Sequence, residues 1–431
     1  MGRPERPLDP TAGPVAAFAH ELRVLRNQAG NAGYRELARA AHFAPSVLST
    51  AASGRRLPTL AVTLAFVAAC GGDRGAWERR WRSVAQEVRT QAVRPAQLPP
   101  GSRTFVGRAP ELAAAARAIE AGGPVLVTGP IGTGKAAFAV RLAEEVAAHF
   151  PDGQLYADLG NGTGARTTDD IVRGFLRALG VPAHLVPDDP VHRVDLYRSL
   201  LAEHRLFVLL TGAGTEAQVR PLLGRTARSQ VVVTGRARLP ALEDAHRVEL
   251  GAFARAESVA LLGRIAGEHR VHAEHAAADA IAALCGDLPL AVSVLGRRIA
   301  VRPEWTIAAT AARLAGRERL LDSLGVGDVH VRDRFTAAYE GLSAAGRAAV
   351  HHFGSDGTTP ARIAAALGIA TETAEELLES IVDAGLLRRA DVAGRYAIPT
   401  LVKVFAAERC VPPRFPDRRE QFPYPPGTAR T

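Results

Sequence analysis

The chain has 431 residues, 47% hydrophobic and 23% charged, with a formal net charge of +9. This length and balance predict a folded protein of about two to four domains and exclude wholesale disorder. No run of about 18 consecutive apolar residues is present, and residues 1–14 lack the apolar core of a signal peptide. The three isolated cysteines, Cys70, Cys285 and Cys410, offer neither a disulfide framework nor a metal-ligand spacing. We therefore expect a cytoplasmic protein with no membrane partner.

Charge is unevenly distributed along the chain. Residues 1–103 contain 15 Arg and seven acidic side chains, so nearly all of the net charge of +9 lies in this first quarter. A basic segment on a neutral body is typical of proteins that bind a polyanion, although a merely solvated surface gives the same count. The two lysines of the chain are Lys135 and Lys403. Lys135 follows a glycine-rich loop, where phosphate-binding proteins place a compact ammonium group.

Residues 15–88 show apolar positions three and four residues apart, which predicts an all-α bundle. Residues 1–14 are expected to be disordered, and the Pro-containing polar stretch 89–103 is expected to be a linker. Within the bundle, the stretch YRELARAAHFAPSVLSTAASGRR (34–56) resembles a helix-turn-helix of the XRE/Cro type. The resemblance implies that YRELARAAHF is the first helix of the pair, APSVLSTAAS the recognition helix, and double-stranded DNA the partner.

The residues expected to contact DNA follow from this match. Ser46 and Ser49 can meet phosphates or base edges, and Arg55 and Arg56 can neutralise phosphates. The recognition helix has no Arg, Lys, Asn or Gln, the side chains that make bidentate contacts with base edges. A helical bundle that kept this shape and binds protein instead therefore stays open. The expected DNA-binding residues are Arg35, Ser46, Val47, Ser49, Thr50, Arg55 and Arg56.

From residue 104 the pattern changes. Short apolar runs such as GPVLVTG, RLFVLLTG and SQVVVTGR alternate with helical stretches over 104–250, which predicts a parallel α/β sheet domain. Residues 251–325 are helical again, and 326–410 contain two helices followed by a short hairpin, a winged-helix pattern. The Pro-rich tail, 411–431, is expected to be disordered. The predicted fold is thus multidomain, α and α/β: an N-terminal helix-turn-helix bundle, a P-loop sheet domain, a helical domain and a winged helix.

The stretch VLVTGPIGTGKA, 125–136, has the outline of a phosphate-binding loop, with an apolar strand before Gly129-x-x-x-x-Gly134-Lys135 and a helix after it. Glycines let backbone N–H groups curl around a phosphate, and the N-terminus of the following helix favours an anion. Position 136, where a Ser or Thr would hold Mg²⁺, is Ala136. The loop therefore predicts phosphate binding without the usual magnesium ligand.

Residues 105–409 resemble STAND-class ATPases of the NB-ARC type, as in bacterial regulators of the AfsR kind. The match rests on six motifs in order: FVGRAPEL, GPIGTGKA, RLFVLLTGAG, VVVTGRARL, CGDLPLAVSVLG and GRYAIPTLVKVFAAER. It implies that Val106 and Pro289 lie against a nucleotide base and that Arg236 approaches a terminal phosphate. The residues that it places around a nucleotide are Val106, Gly107, Arg108, Gly129, Gly132, Thr133, Gly134, Lys135, Ala136, Arg236 and Pro289.

At two other places this sequence departs from the family's pattern. The strand that should end in an Asp reads Leu210-Thr211-Gly212, and the next acid, Glu216, comes later and is expected on a helix. The winged-helix signature reads Ile398-Pro399-Thr400, without the His that the family uses. Phosphoryl transfer depends on charge neutralisation by a metal, so we predict a pseudo-ATPase with no catalytic residue and no metal site. ATP or ADP bound without Mg²⁺ is one expectation for the cofactor, and an empty structural loop is the other.

Three functions are compatible with these features. The first is a cytoplasmic transcriptional regulator that binds DNA through residues 15–88 and, by resemblance, governs a pathway of specialised metabolism. The second is a scaffold or repurposed enzyme that does not bind DNA and whose P-loop pocket holds another ligand or partner. The third, an active ATPase switch, is disfavoured by Ala136. The family commonly ends in a helical repeat array that receives a signal; none is visible here, so self-association or a partner protein supplying the sensor is expected.

Overall fold

The computed structural model describes residues 8–91, 94–160, 166–224, 228–315, 320–354, 357–390, 392 and 394–410. The described residues divide into two compact units, a smaller one up to Arg94 together with Ala178–Val181, and a larger one from Pro95 to Arg177 and from Pro182 onward. The predicted tail, 411–431, lies outside the described residues. Among the described helices, none combines the length and the apolar composition that crossing a bilayer requires.

The smaller unit is a helical bundle around one apolar core. Its helices are α1 (Pro14–Gln28), α2 (Tyr34–Ala41), α3 (Pro45–Ala51), α4 (Leu60–Ala69) and α5 (Arg74–Gln91). Phe18 and Leu22 of α1, Leu48 of α3 and Phe66 of α4 are fully buried and close the core. α2 ends at Ala41. The next residue, His42, has a left-handed φ of 55° and begins the turn that leads to α3. The predicted all-α bundle with a helix-turn-helix pair is confirmed.

Residues 8–13 are ordered, although the sequence predicts disorder for 1–14. Pro10–Ala12 form a 3-10 turn, which the carboxylate of Asp9 caps by accepting the Thr11 N–H at 2.9 Å. Leu8 packs against Gly54, where an added Cβ would lie 2.6 Å from the Leu8 Cδ1. The hydrogen bond from the Thr11 N–H to Asp9 and the packing of Leu8 against Gly54 therefore hold this polar segment in one conformation.

The larger unit begins with a five-stranded sheet in which every pairing is parallel. Its strands are β1 (Val125–Thr128), β2 (Gly153–Asp158), β3 (Leu206–Ala213), β4 (Gln230–Gly235) and β5 (His246–Glu249), and the helices of this part are α6 (Ala109–Ala121), α7 (Lys135–Glu145), α8 (Thr168–Ala178), α9 (Pro190–Glu203) and α10 (Glu216–Val219). The strand order is β2-β3-β4-β1-β5. β1 and β4 are buried along their whole length, which explains their unbroken runs of Val and Leu. The carboxyl ends of the strands share one edge, and the predicted phosphate loop lies there.

Two described parts of the predicted linker, 89–103, take part in regular structure. α5 extends to Gln91, and Ala96 forms a parallel bridge with Gln154 in β2. The Gln154 N–H donates to the carbonyl oxygen of Pro95 at 2.6 Å. Because β2 is an edge strand, this pairing satisfies backbone groups that would otherwise face solvent.

Helices dominate the rest of the larger unit. They are α11 (Arg255–Ala266), α12 (Glu268–Ala273), α13 (His275–Leu284), α14 (Pro289–Ala300), α15 (Ile307–Ala315), α16 (Val331–Glu340), α17 (Ala344–Val350), α18 (Pro360–Leu367), α19 (Thr371–Asp383) and α20 (Thr400–Cys410), with the short strands β6 (Gly325–Val326), β7 (Val329–His330), β8 (Arg388–Arg389) and β9 (Tyr396–Ala397). One hydrophobic cluster runs from Ile131, after β1, to Phe405 in α20. The segments 251–325 and 326–410, predicted as separate domains, therefore share a core.

α17, α18 and α19, followed by the antiparallel pair β8–β9, form the predicted winged-helix arrangement. Thr358 bridges to Tyr396 and adds to the edge of the hairpin. The outer face of α19 carries the exposed carboxylates of Glu372, Glu375 and Glu376. The helix that a winged helix would present to a groove of DNA is thus strongly acidic here.

Candidate functional sites

The loop after β1 forms a backbone cradle. Gly129, Gly132 and Gly134 have φ values of 141°, 82° and 88°, which other residues rarely adopt. A Cβ at Gly129 would lie 2.1 Å from the carbonyl oxygen of Leu250, so no larger residue fits there. Within the described residues, the backbone N–H groups from Gly132 to Ala136 have no hydrogen-bond acceptor. These consecutive donors form an anion-binding nest.

Lys135 is folded back onto this cradle. Its ammonium donates to the carbonyl oxygens of Gly129 and Pro130, both at 2.8 Å, and the Thr133 hydroxyl donates to the Pro130 carbonyl at 3.0 Å. Burial, and then the positive charge of Arg236, lower the pKa of Lys135 to about 8. A phosphate in the cradle would favour the charged ammonium and raise this pKa.

Phosphate binding at this loop is expected to weaken above pH 8. Below about pH 8 Lys135 is protonated before an anion binds, whereas above it binding requires uptake of a proton. The terminal phosphate loses its last proton near pH 6, so above pH 8 it is ionised and adds no trend of its own. Titration with ADP between pH 7 and 9 should show affinity falling by up to about tenfold per pH unit above pH 8.

The Arg236→Ala variant is the control for this pH profile. It removes the charge that opposes protonation of Lys135, so the fall in affinity should move to higher pH. A profile that is flat across this range in the unmodified chain would contradict a role for the Lys135 ammonium.

Segments that are distant in sequence enclose the cradle. The Leu290 N–H, at the start of α14, donates to the Gly132 carbonyl at 3.1 Å, and the Ile131 N–H donates to the carbonyl of Gly385, after α19, at 3.2 Å. The Pro289 Cβ is 4.0 Å from where a Cβ on the last glycine of the loop would lie. The structure thus brings the predicted Pro289 to the loop and adds Gly385, which no motif indicated.

Arg236 lies next to the cradle, just after β4. Its side chain is exposed, and its Nη1 donates to the Ala384 carbonyl at 3.4 Å. Its charge acts on Lys135. A Cβ on Gly385, whose carbonyl accepts the Ile131 N–H, would lie 3.3 Å from the Arg236 Cδ, so Arg236 lies beside the segment that closes the cradle.

The Arg108 side chain is buried and joins its own segment to the residues around the start of α11. Its side chain is 4% exposed; it donates to the Glu111 carboxylate at 2.9 Å and to the Gly251 carbonyl at 2.5 Å, and it stacks 4.7 Å from the centre of the Phe253 ring. The Arg108 N–H donates to the Glu257 carboxylate at 2.9 Å. These contacts attach the FVGR segment to the start of α11, so Arg108 positions its neighbours.

Val106 lies between two surface cavities. One, of about 590 Å³, is lined by α11, α12 and the start of α13; the other, of about 760 Å³, is lined by residues 101–113 and the end of α7. Gly107 has a φ of 69°, and a Cβ there would lie 2.2 Å from the carboxylate of Glu257. Contact of Val106, Gly107 and Arg108 with a base stays a prediction.

Three of the motif segments of the larger unit each contain a non-glycine residue with positive φ. Arg108, Leu239 and Asp287 are non-glycine residues with φ of 64°, 46° and 52°. Such conformations cost on the order of 1–3 kcal/mol each and persist where surrounding contacts over-determine them. Asp287 is held by two hydrogen bonds from Arg255, at 2.8 and 2.9 Å. Strain of this kind is typical of functional segments.

The residues at the predicted magnesium positions do not suit Mg²⁺. Ala136 is exposed and has no side-chain oxygen. At the end of β3, the Thr211 hydroxyl lies 3.2 Å from the Tyr156 hydroxyl, and Gly212 follows with a φ of 72°. Mg²⁺ requires oxygen ligands in near-octahedral geometry, commonly from carboxylates and phosphates. These positions supply no carboxylate.

The acids nearest this corner accept hydrogen bonds from backbone N–H groups. Asp158, at the end of β2, accepts the Gly160 N–H at 3.0 Å, and its Oδ1 lies 2.9 Å from where a Cβ on Gly212 would be. Glu216 lies on α10, as predicted, and accepts the Ala241 N–H at 3.3 Å. In the part of the chain that the structure describes, no cluster of three or more His, Cys, Asp or Glu could hold a metal ion.

The outer face of α3 carries most of the residues predicted to contact DNA. Leu48 and Ala51 point into the core, which turns the other positions of α3 outward. The exposed predicted residues are Ser46, Val47, Ser49 and Thr50 on α3, Arg55 and Arg56 after it, and Arg35 on α2. The face therefore offers hydroxyl and methyl groups, with guanidinium groups on the flanking segments.

A family model described as a helix-turn-helix domain matches residues 17–79. The range includes the α2–α3 pair and its turn. Residues 17–79 are a helix-turn-helix domain. The helix-turn-helix domain thus coincides with the basic first quarter of the chain, and the resemblance on which the predicted DNA contacts rest is confirmed.

The chain is also similar to two curated regulatory proteins. It is 40% identical over 335 residues to the regulatory protein AfsR of Streptomyces coelicolor, an alignment covering 74% of this chain and 34% of AfsR. It is 40% identical over 341 residues to AfsR of Streptomyces griseus, covering 76% of this chain and 35% of that protein. The chain therefore spans about a third of the length of these relatives. Both alignments are longer than the helix-turn-helix domain and extend over most of the larger unit.

Among solved structures, the chain is similar to the Walker-type ATPase PABY2304 of Pyrococcus abyssi. The similarity covers 72% of this chain and 99% of the ATPase, at 15% sequence identity and a TM-score of 0.44. The strand order and the loop geometry described above carry the assignment of a P-loop fold.

Proposed function

We propose that the chain is a DNA-binding transcriptional regulator. The observation that carries this proposal is the acid-free outer face of α3 in the helix-turn-helix domain, flanked by the exposed Arg35, Arg55 and Arg56. Arginines beside a groove-reading helix neutralise phosphates and fix the register of the protein on the duplex. The similarity to AfsR, a regulatory protein by name, supports the same function.

The helix-turn-helix domain is proposed as the DNA-binding module in preference to the winged helix. Glu372, Glu375 and Glu376 on the outer face of α19 would repel the phosphates on both sides of a groove. The winged helix instead contributes Gly385 to the wall of the cradle, so we assign it a structural role in the larger unit.

The larger unit is proposed to bind ATP or ADP and not to hydrolyse it. The N–H groups from Gly132 to Ala136 would hold the phosphates, with Lys135 and Arg236 supplying positive charge and Pro289 at the side of the cradle. The residue types at Ala136 and Thr211 do not fit the magnesium that phosphoryl transfer needs. The bound nucleotide would then act as a structural or sensing ligand. Control of a specialised-metabolism pathway is the biological role we propose, on the resemblance to AfsR.

A second candidate is a protein-docking scaffold, because α3 lacks the side chains that make bidentate base contacts. Titration of the full chain with a random-sequence duplex at about 50 and 200 mM salt separates the two. A regulator should bind at low salt and lose affinity steeply as salt rises. No binding at the lower salt would favour the scaffold.

Introducing a hydroxyl at the magnesium position should make nucleotide binding respond to Mg²⁺. Ala136 is exposed beside the cradle, so Ala136→Ser adds a ligand without displacing packed atoms. We expect ATP affinity of the unmodified chain to be the same with Mg²⁺ and with a chelator, and that of Ala136→Ser to rise about tenfold with Mg²⁺. Isothermal titration in both buffers measures this.

The matched control is Ala137→Ser, one position further along α7 and also exposed. It should show no response to Mg²⁺. An unmodified chain whose nucleotide affinity depends on Mg²⁺, or which releases phosphate from ATP, would contradict the assignment of a metal-free site.

A further inference from the structure

A groove beside α3 adjoins the residues that are predicted to contact phosphates. It lies between α3 and the start of α4, has a volume of about 280 Å³, and is lined among others by Val47, Thr50, Pro58 and Val62, with Arg56 at its edge. Val47 is 38% exposed, so part of this branched apolar residue faces solvent on the helix that would enter the DNA groove. An exposed branched apolar residue at this position is available for contact with an apolar group of the partner.

The polar groups of α3 cannot by themselves distinguish one base from another. Ser46, Ser49 and Thr50 offer single hydroxyls, which both donate and accept and therefore tolerate either type of base edge. In the major groove, the apolar feature that differs between bases is the 5-methyl group of thymine. The discriminating contact left to α3 is therefore apolar.

We infer that the face of α3 formed by Val47 and Thr50, with the adjoining groove, reads the 5-methyl group of thymine in duplex DNA. This inference rests on the proposed DNA-binding function and makes it specific. Arg55 and Arg56 hold the backbone, and the methyl contact selects among A·T, T·A and G·C pairs. The resulting preference is for thymine at one or two positions of each half-site.

The test uses two pools of duplex DNA that share one random region, the first made with thymine and the second with deoxyuridine throughout. Deoxyuridine pairs as thymine does and keeps its carbonyl acceptor, so the pools differ only in the methyl group. The full chain should retain the thymine pool about fourfold better for each methyl group that it contacts. Val47→Ala should lose most of this preference, since only Thr50 of the proposed contact face remains.

Val24→Ala is the matched control, because Val24 has the same exposure of 38% and lies on α1, outside the groove. It should keep the preference of the unmodified chain. If the unmodified chain binds both pools equally, or if Val47→Ala keeps the preference, the inference is overturned and the DNA-binding function stands. If neither pool is bound, the proposed function fails and the inference fails with it.

Discussion

The Arg55→Ala/Arg56→Ala variant is expected to bind duplex DNA at least about a hundredfold more weakly than the unmodified chain at low salt, because each of the two lost charge-assisted contacts is worth about 1.5 kcal/mol or more. Both side chains are exposed in the turn after α3 and are predicted to contact phosphates. The loss should be uniform across sequences, and the slope of log affinity against log salt should fall by about two. Fluorescence anisotropy over a salt series measures both quantities.

The control for this variant is Arg79→Ala/Arg82→Ala. It removes the same charge from exposed positions of the same unit, but on α5, away from the α2–α3 pair. Its affinity should change only slightly, through the general field of the domain. Equal losses in the two double variants would mean that net charge alone drives binding and that the turn after α3 makes no specific contact.

The Lys135→Ala variant is expected to bind ADP about a hundredfold more weakly, because the ammonium supplies charge-assisted hydrogen bonds in a largely buried site. In the structure this ammonium contacts the carbonyl oxygens of Gly129 and Pro130, which it would exchange for phosphate oxygens. Titration with a fluorescent ADP in the presence of a chelator measures the loss.

Lys403→Ala is the matched control for Lys135→Ala. Lys403 is the other lysine of the chain and is exposed on α20, so its removal changes net charge by the same amount. It should leave ADP affinity unchanged. If the unmodified chain and Lys135→Ala bind ADP equally, the Lys135 ammonium does not hold the nucleotide. If neither binds ADP, the cradle is a structural remnant and the proposed nucleotide site is wrong.

Features coded by local pattern could be predicted from the sequence. The unbroken apolar runs of β1 and β4 indicated buried parallel strands, and the spacing of apolar residues around Leu48 and Phe66 indicated the helical bundle. The positions of Gly129 and Lys135 followed from the chemistry of phosphate loops, because positive φ and a compact cation leave a recognisable pattern.

Features that depend on contacts between distant segments could not be predicted. The carbonyl of Gly385 meets Ile131, some 250 residues earlier, through a backbone hydrogen bond that no side chain encodes. The sequence predicted that Arg108 lies around a nucleotide. Its burial against Phe253 and Glu111 depends on how the segment before α11 packs, which the sequence alone does not give. Such positions are set by tertiary packing, which a single sequence does not display.

The central claim, that the chain is a sequence-reading regulator, is tested most directly by selecting bound fragments from the protein's own genome at two salt concentrations, with Arg55→Ala/Arg56→Ala alongside. The account predicts enrichment of a defined site by the unmodified chain, weakened at the higher salt and lost in the variant. No enrichment, or salt-sensitive binding that is indifferent to sequence, would contradict it and leave the docking scaffold as the better description.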